Sequence, residues 1–87
     1  MTNLTGKLFF ITGAGDGIGK QTALLAARKG AHVIPTDIDA QSAEATAAEI
    51  SQIGQKAHGY GLDVTDREAF FDLANKIKTD HGPVDVV

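Results

Sequence analysis

The chain contains no cysteine and no tryptophan, only two prolines, and no long apolar run. Without thiols it can form no disulfide staple, thiolate zinc centre or cysteine nucleophile, and such a composition suits a reducing compartment, so a cytoplasmic location is expected. Its longest aliphatic run, residues 23–27, is far short of the ~20 residues that cross a bilayer. No basic segment followed by an apolar one opens the sequence, so neither membrane insertion nor export is expected. Positive charge is scarce as well: eight Lys and Arg against eleven Asp and Glu leave a net charge of -3. Nucleic-acid binding needs clustered cations to neutralise phosphates, and the eight here are scattered, which excludes a nucleic-acid footprint.

What is present fits one small globular domain. The 87 residues, 43% apolar and 22% charged, leave no room for a nucleotide-binding half plus a separate substrate domain. The first apolar segment, Leu8-Phe9-Phe10-Ile11, is continuous rather than alternating, which suits a strand covered on both faces in a parallel sheet. A glycine cluster follows, and then Ile18, Thr22, Leu25, Ala26 and Lys29 recur at helical spacing until Gly30 ends the helix. Strand two is His32-Val33-Ile34, reaching at most Thr36, with Pro35 expected near the end of the ladder because it lacks a backbone donor. Asp39 is placed to cap helix two, whose narrow face of Ala40, Ala43, Ala47 and Ile50 is stopped by Gly54. A third strand over residues 57–62 is interrupted by Gly59 and Gly61, with Tyr60 and Leu62 on one face. Thr65-Asp66-Arg67-Glu68 forms a capping box with Thr65 as the cap. Phe70, Leu73, Ala74 and Ile77 then mark helix three, and Gly82-Pro83 stops it before a strand Val84-Asp85-Val86-Val87.

This order, βαβαβα plus the start of a fourth strand, predicts the N-terminal half of a Rossmann-type doubly wound parallel α/β sheet. Right-handed crossovers set strands three, two and one side by side and carry strand four to the free side of strand one. Most of one sheet face and one edge would then lack cover. Residues 1–87 are therefore expected to be a single partial domain, a fragment of a longer chain or one that needs a partner.

Strand, glycine turn and helix N-terminus together make an anion site: free N–H groups and the positive end of the helix dipole meet a phosphate where no side chain blocks it. The general G-x-G-x-x-G fingerprint is not met in register, since counting from Gly13 puts Ile18 in the third glycine place and counting from Gly15 puts Lys20 there. The run is instead Thr12-Gly13-Ala14-Gly15-Asp16-Gly17-Ile18-Gly19. Asp37 stands at the expected end of strand two, where an acid meets the adenosine ribose of a dinucleotide. A carboxylate there accepts both ribose hydroxyls and repels a 2′-phosphate. No Lys or Arg occupies residues 14–16, 38 or 39, so NAD is expected in preference to NADP.

That glycine run resembles the cofactor loop of the short-chain dehydrogenase/reductase family. Leu4-Thr5-Gly6-Lys7 resembles its lead-in, Leu62-Asp63-Val64-Thr65-Asp66 the segment after its third strand, and the residues from Gly82 to Val87 the approach to its fourth. The resemblance implies an NAD-dependent oxidoreductase that transfers hydride between nicotinamide and a small alcohol or carbonyl substrate, usually as a homo-oligomer. It implies a cofactor site at Gly13, Gly15, Asp16, Gly17, Ile18, Gly19 and Asp37, with Asp63 on the adenine amino group and Ile38 and Val64 flanking its ring. The family's catalytic serine, tyrosine and lysine cannot be assigned to any residue here. Tyr60, the only tyrosine, follows Lys56 by four residues instead of preceding a lysine, and it belongs to a predicted strand.

Other chemistry finds little support. His32, His58 and His81 lack metal-ligand spacing, so no metal site is expected. Ser42 and Ser51 have no histidine or acid placed to activate them. Two alternatives remain: a non-catalytic nucleotide-binding or interaction module of the same fold, and a methyltransferase loop at Gly13-x-Gly15-x-Gly17. The latter usually follows an acid two residues before its first glycine, where this chain has Ile11.

Overall fold

A computed structural model of the chain describes residues 3–55, 57–82 and 84–86. Its elements are β1 (Leu8–Ile11), α1 (Gly17–Arg28), β2 (His32–Asp37), α2 (Ala40–Ile53), β3 (Tyr60–Gly61), α3 (Arg67–His81) and β4 (Asp85–Val86). The strands pair in parallel in the order β3-β2-β1-β4, as right-handed crossovers require. Lys56, Pro83 and Val87, named above, lie outside the described residues. No helix among the described residues is long and apolar enough to cross a membrane.

Successive side chains of β1 point to opposite faces, and both faces find cover. Ile11 and Val33 pack with Ala23, Leu24 and Ala27 of α1 and Ile50 of α2. Leu8, Phe10 and Ile34 pack on the other side with Leu62 and with Ile77, Phe70 and Leu73 of α3. The expectation that most of one face lies bare is corrected here, because α3 lies over the face that α1 and α2 leave. A groove of about 340 Å³ does remain beside β1 on the α1 side, lined by Leu4, Phe9, Ile11 and Leu25 among others.

Four local expectations are also corrected. β2 runs past Thr36 to Asp37, while fully buried Pro35 stands, as expected, at the end of the β1–β2 ladder, in its last registered pair with Ile11. The Thr36 carbonyl accepts from Ala14 on the β1 side and the Asp37 carbonyl from Leu62 on the β3 side. Alternation along the strand therefore turns the Pro35 nitrogen toward β3, where pairing starts only at Thr36 and Tyr60. The missing donor falls just before that ladder begins.

The third strand is two residues long rather than six, because a Cβ at Gly59 would overlap the Ala43 carbonyl group and one at Gly61 would lie 2.9 Å from the Ala40 side chain. These glycines admit α2 at backbone distance. On α2 itself Ala40 is exposed, and the buried face is Ala43, Thr46, Ala47 and Ile50. Finally, Asp66 rather than Thr65 caps α3, accepting from the Ala69 N–H at 3.1 Å. Asp63 Oδ1 engages the Thr65 hydroxyl at 2.7 Å and its N–H at 2.9 Å, so that hydroxyl is directed away from the helix.

Candidate cofactor site

The turn over residues 12–16 leaves the carboxyl end of β1 and delivers the chain to α1 at Gly17. Gly13 and Gly17 hold φ values of 64° and 57°, a region that residues bearing a Cβ rarely adopt. A Cβ at Gly19 would overlap the Gly13 carbonyl oxygen, so turn and helix meet backbone to backbone. Asp16 caps α1 by accepting from the Gly17 N–H at 2.8 Å.

Buried Ala14 is gripped at both of its backbone polar groups. Its N–H donates to the Thr36 carbonyl at 2.8 Å, and its carbonyl accepts from the Thr46 hydroxyl of α2 at 2.8 Å. The Thr36 hydroxyl donates in turn to the Ile11 carbonyl at 2.9 Å. The N–H groups of Ile18 and Gly19 lie in the first helical turn, where the helix supplies no acceptor, and none is found among the described residues. They and the helix dipole are open to an anion.

Asp37 ends β2 and turns its carboxylate back to the loop. Its Oδ2 accepts from the Gly15 N–H at 2.9 Å and its Oδ1 from the Asp39 N–H at 3.0 Å. A Cβ at Gly15 would lie 2.5 Å from the Ser42 Cβ and 2.9 Å from Asp37 Oδ2, so only glycine permits this approach. Asp39 has the separate role assigned from sequence: it caps α2 through the Gln41 and Ser42 N–H groups and accepts from the Ser42 hydroxyl. Those bonds, the Ser42 hydroxyl foremost, hold its carboxyl below the usual carboxylate range.

Ile38, Asp63 and Val64 sit in the connections after β2 and β3, on the same edge of the sheet. Ile18, Ile38 and Val64 are 87%, 74% and 53% exposed, so core packing does not account for them. The hydroxyl and N–H of Thr65 hold the Asp63 carboxyl below its ordinary range. Gly15 and Asp37 are thus brought into contact, while no hydrogen bond joins Asp63 to the glycine turn among the described residues.

Thr36 and Thr46, which fix the loop from behind, were not singled out from sequence. The available signal was one hydroxyl residue, Thr46, set among the alanines of an otherwise apolar stripe. Tyr60 packs beside the α3-side core, with the Lys76 ammonium 5.9 Å from its ring centre. Among the described residues no group of three or more His, Asp or Glu is arranged to hold a metal ion.

Residues 7–87 match the family model described as short chain dehydrogenase. Over 86 residues the chain is 49% identical to the 2-keto-3-deoxy-L-fuconate dehydrogenase of Xanthomonas campestris pv. campestris, covering 99% of this chain and 26% of the relative. Over 80 residues it is 46% identical to the probable oxidoreductase EphD of Mycobacterium tuberculosis, covering 92% and 14%. The chain therefore spans about a quarter or less of the length of these curated relatives. A solved structure of 7α-hydroxysteroid dehydrogenase, complexed with NADH and 7-oxo glycochenodeoxycholic acid, superimposes with a TM-score of 0.90 at 39% identity, over 97% of this chain and 33% of that one. A hydroxysteroid dehydrogenase from Escherichia coli gives 0.89 at 39% identity, over 97% and 36%.

Proposed function

The chain belongs to the short-chain dehydrogenase family, and from that premise we propose that residues 1–87 are the cofactor-binding part, a single partial domain, of an NAD-dependent oxidoreductase acting on a small alcohol or carbonyl substrate. The carrying observation is the Asp37 carboxylate, fixed at the carboxyl edge of β2 by the Gly15 and Asp39 N–H groups. An ionised carboxylate has about four acceptor sites, and two donors leave room for the two hydroxyls of an unmodified ribose. A 2′-phosphate would meet that negative charge with no Lys or Arg at residues 14–16, 38 or 39 to offset it. The open N–H groups of Ile18 and Gly19 suit the diphosphate bridge, Gly13 and Gly17 keep side chains out of the open space before it, and Gly15 admits the Asp37 carboxylate. Asp16 holds the first turn of α1 in place through its cap. Asp63 is proposed for the adenine amino group, with exposed Ile38 and Val64 on either side of its ring. When bound, nicotinamide supplies hydride transfer; the residues of this chain bind and orient it. The NADH complex of the similar 7α-hydroxysteroid dehydrogenase supports this reading.

The test is Asp37→Ala, with calorimetric titration of NAD and NADP into the full natural polypeptide. The preference for NAD over NADP is expected to fall by about 1–3 kcal/mol, the worth of a hydrogen bond to a charged group. An unchanged preference would remove Asp37 from the ribose, and an absence of binding in the unsubstituted protein would remove the proposed function.

A further inference from the structure

The opposite edge of the sheet carries a second cluster, which the cofactor reading does not use. A cavity of about 280 Å³ is lined by His32, Ile34, His58, Tyr60 and His81. His32 opens β2, and His81 is the last residue of α3. Their rings meet edge to face, with centres 5.0 Å apart and planes at 86°. Directly after His81 the chain turns at Gly82, with φ 91°, toward β4 and its pairing with β1. The contact therefore ties the end of α3 to the sheet just before the last strand.

The ionisable groups that line or flank the cavity come from several elements. From the connection before β3 comes exposed His58, from β3 Tyr60, and from α3 His81 together with Lys76, whose ammonium lies near the Tyr60 ring. On the β1 side the His32 N–H donates to the Lys7 carbonyl. No carboxylate lines the cavity among the described residues. A charged His81 opposes a proton on His32.

We propose that the His32–His81 contact is an acid-opened latch on the carboxyl end of α3. With both rings neutral, they pack and hold the last helical turn on β2. When acidification protonates both rings, two like charges share a site that no carboxylate lines among the described residues, and the turn lifts. Burial first, and then His81, lowers the folded His32 below its ordinary value of 6.5. The unfolded chain is thus the better proton acceptor, and the stability present above that value is lost as pH falls through it.

The test is amide hydrogen exchange in the full natural polypeptide, expressed as protection factors so that the intrinsic pH dependence of exchange cancels. Moving from about pH 7.5 to about pH 5, across the histidine range, the last turn of α3 is expected to lose protection several-fold relative to α1. His81→Phe keeps a ring but not the charge; it should retain protection at both pH values and raise the midpoint at which His32 titrates by NMR. His32→Asn, a second variant should the first fail to fold, should also lose the acid response. Parallel loss of protection in α3 and α1, or an acid response undiminished in the folded variants, would overturn the latch.

Discussion

Gly19→Ala is expected to weaken NAD binding by about tenfold or more, the equivalent of ~1.4 kcal/mol, and to lower the thermal midpoint with it. The added Cβ would overlap the Gly13 carbonyl oxygen, which is main chain and cannot rotate aside as a side-chain end could. Relief requires the turn to move away from α1. Yet Ala14, the next residue, is tied to Thr36 and Thr46 by two buried 2.8 Å hydrogen bonds, and Gly15 is tied to Asp37. Overpacking of this kind costs about 1–3 kcal/mol in stability, and the displaced turn no longer presents its N–H groups beside Asp37. Gly17 provides the contrast: a Cβ there meets nothing within 4 Å, and the constraint is its φ of 57°. Gly17→Ala should therefore cost about 1–2 kcal/mol of backbone strain, with less damage to the loop. Calorimetry with NAD and a thermal melt of both variants check this order. Unaltered affinity in Gly19→Ala would mean that the close approach of turn and helix does not shape the site.

Much of this arrangement was legible because several local signals agreed. The unbroken Leu8-Phe9-Phe10-Ile11 run gave a strand covered on two faces, and the glycine turn followed by helical spacing gave a parallel crossover. Phe70, Leu73, Ala74 and Ile77 then gave the face that α3 lays on Phe10. Capping chemistry was less legible because neighbouring residues compete for it. Thr65 fits a capping box in sequence, but Asp63 engages its hydroxyl and Asp66 supplies a carboxylate one residue closer to the helix. The reach of β2 to Asp37 was missed because the cost of Pro35 depends on which neighbour its nitrogen faces, and that follows from register. Gly59 and Gly61 looked like defects in a strand, whereas they are clearances for α2, a contact between elements that no local pattern reports. Thr46 escaped for the same reason, since its partner lies 32 residues away in the chain. At the site, the gathering of the glycine turn and Asp37 could be anticipated from where β1 and β2 end; the bond between Gly15 and Asp37 and the hydroxyls that hold the turn in place could not.

Phe10→Ala is expected to cost about 3–5 kcal/mol of folding stability, the range for removing a buried aromatic ring. Phe10 is wholly inaccessible and sits where β1 meets α3, packed with Leu8, Ile34, Leu62 and Ile77. Its ring lies against Phe70 at 5.7 Å and 29°, and the β1 backbone is held between β2 and β4, so the strand cannot sink to fill the void. Typical domains have about 5–15 kcal/mol in total, so this one change removes a large share of it. The stacked pair contributes separately. A double-mutant cycle with Phe70→Ala should reveal a coupling of about 0.5–1.5 kcal/mol beyond the two single losses, because neither ring retains its partner once the other is gone. Urea denaturation of the three variants measures both quantities. A loss below about 1 kcal/mol for Phe10→Ala, typical of an exposed position, would show that α3 does not close over β1 in solution. Strictly additive losses would leave α3 docked while removing the stack as a contributor. Because α3 follows the connection that carries Asp63 and Val64, a loosened Phe10–Phe70 contact should also reach the adenine side of the proposed site. NAD affinity measured in the same variants, under conditions where they stay folded, should fall with the coupling.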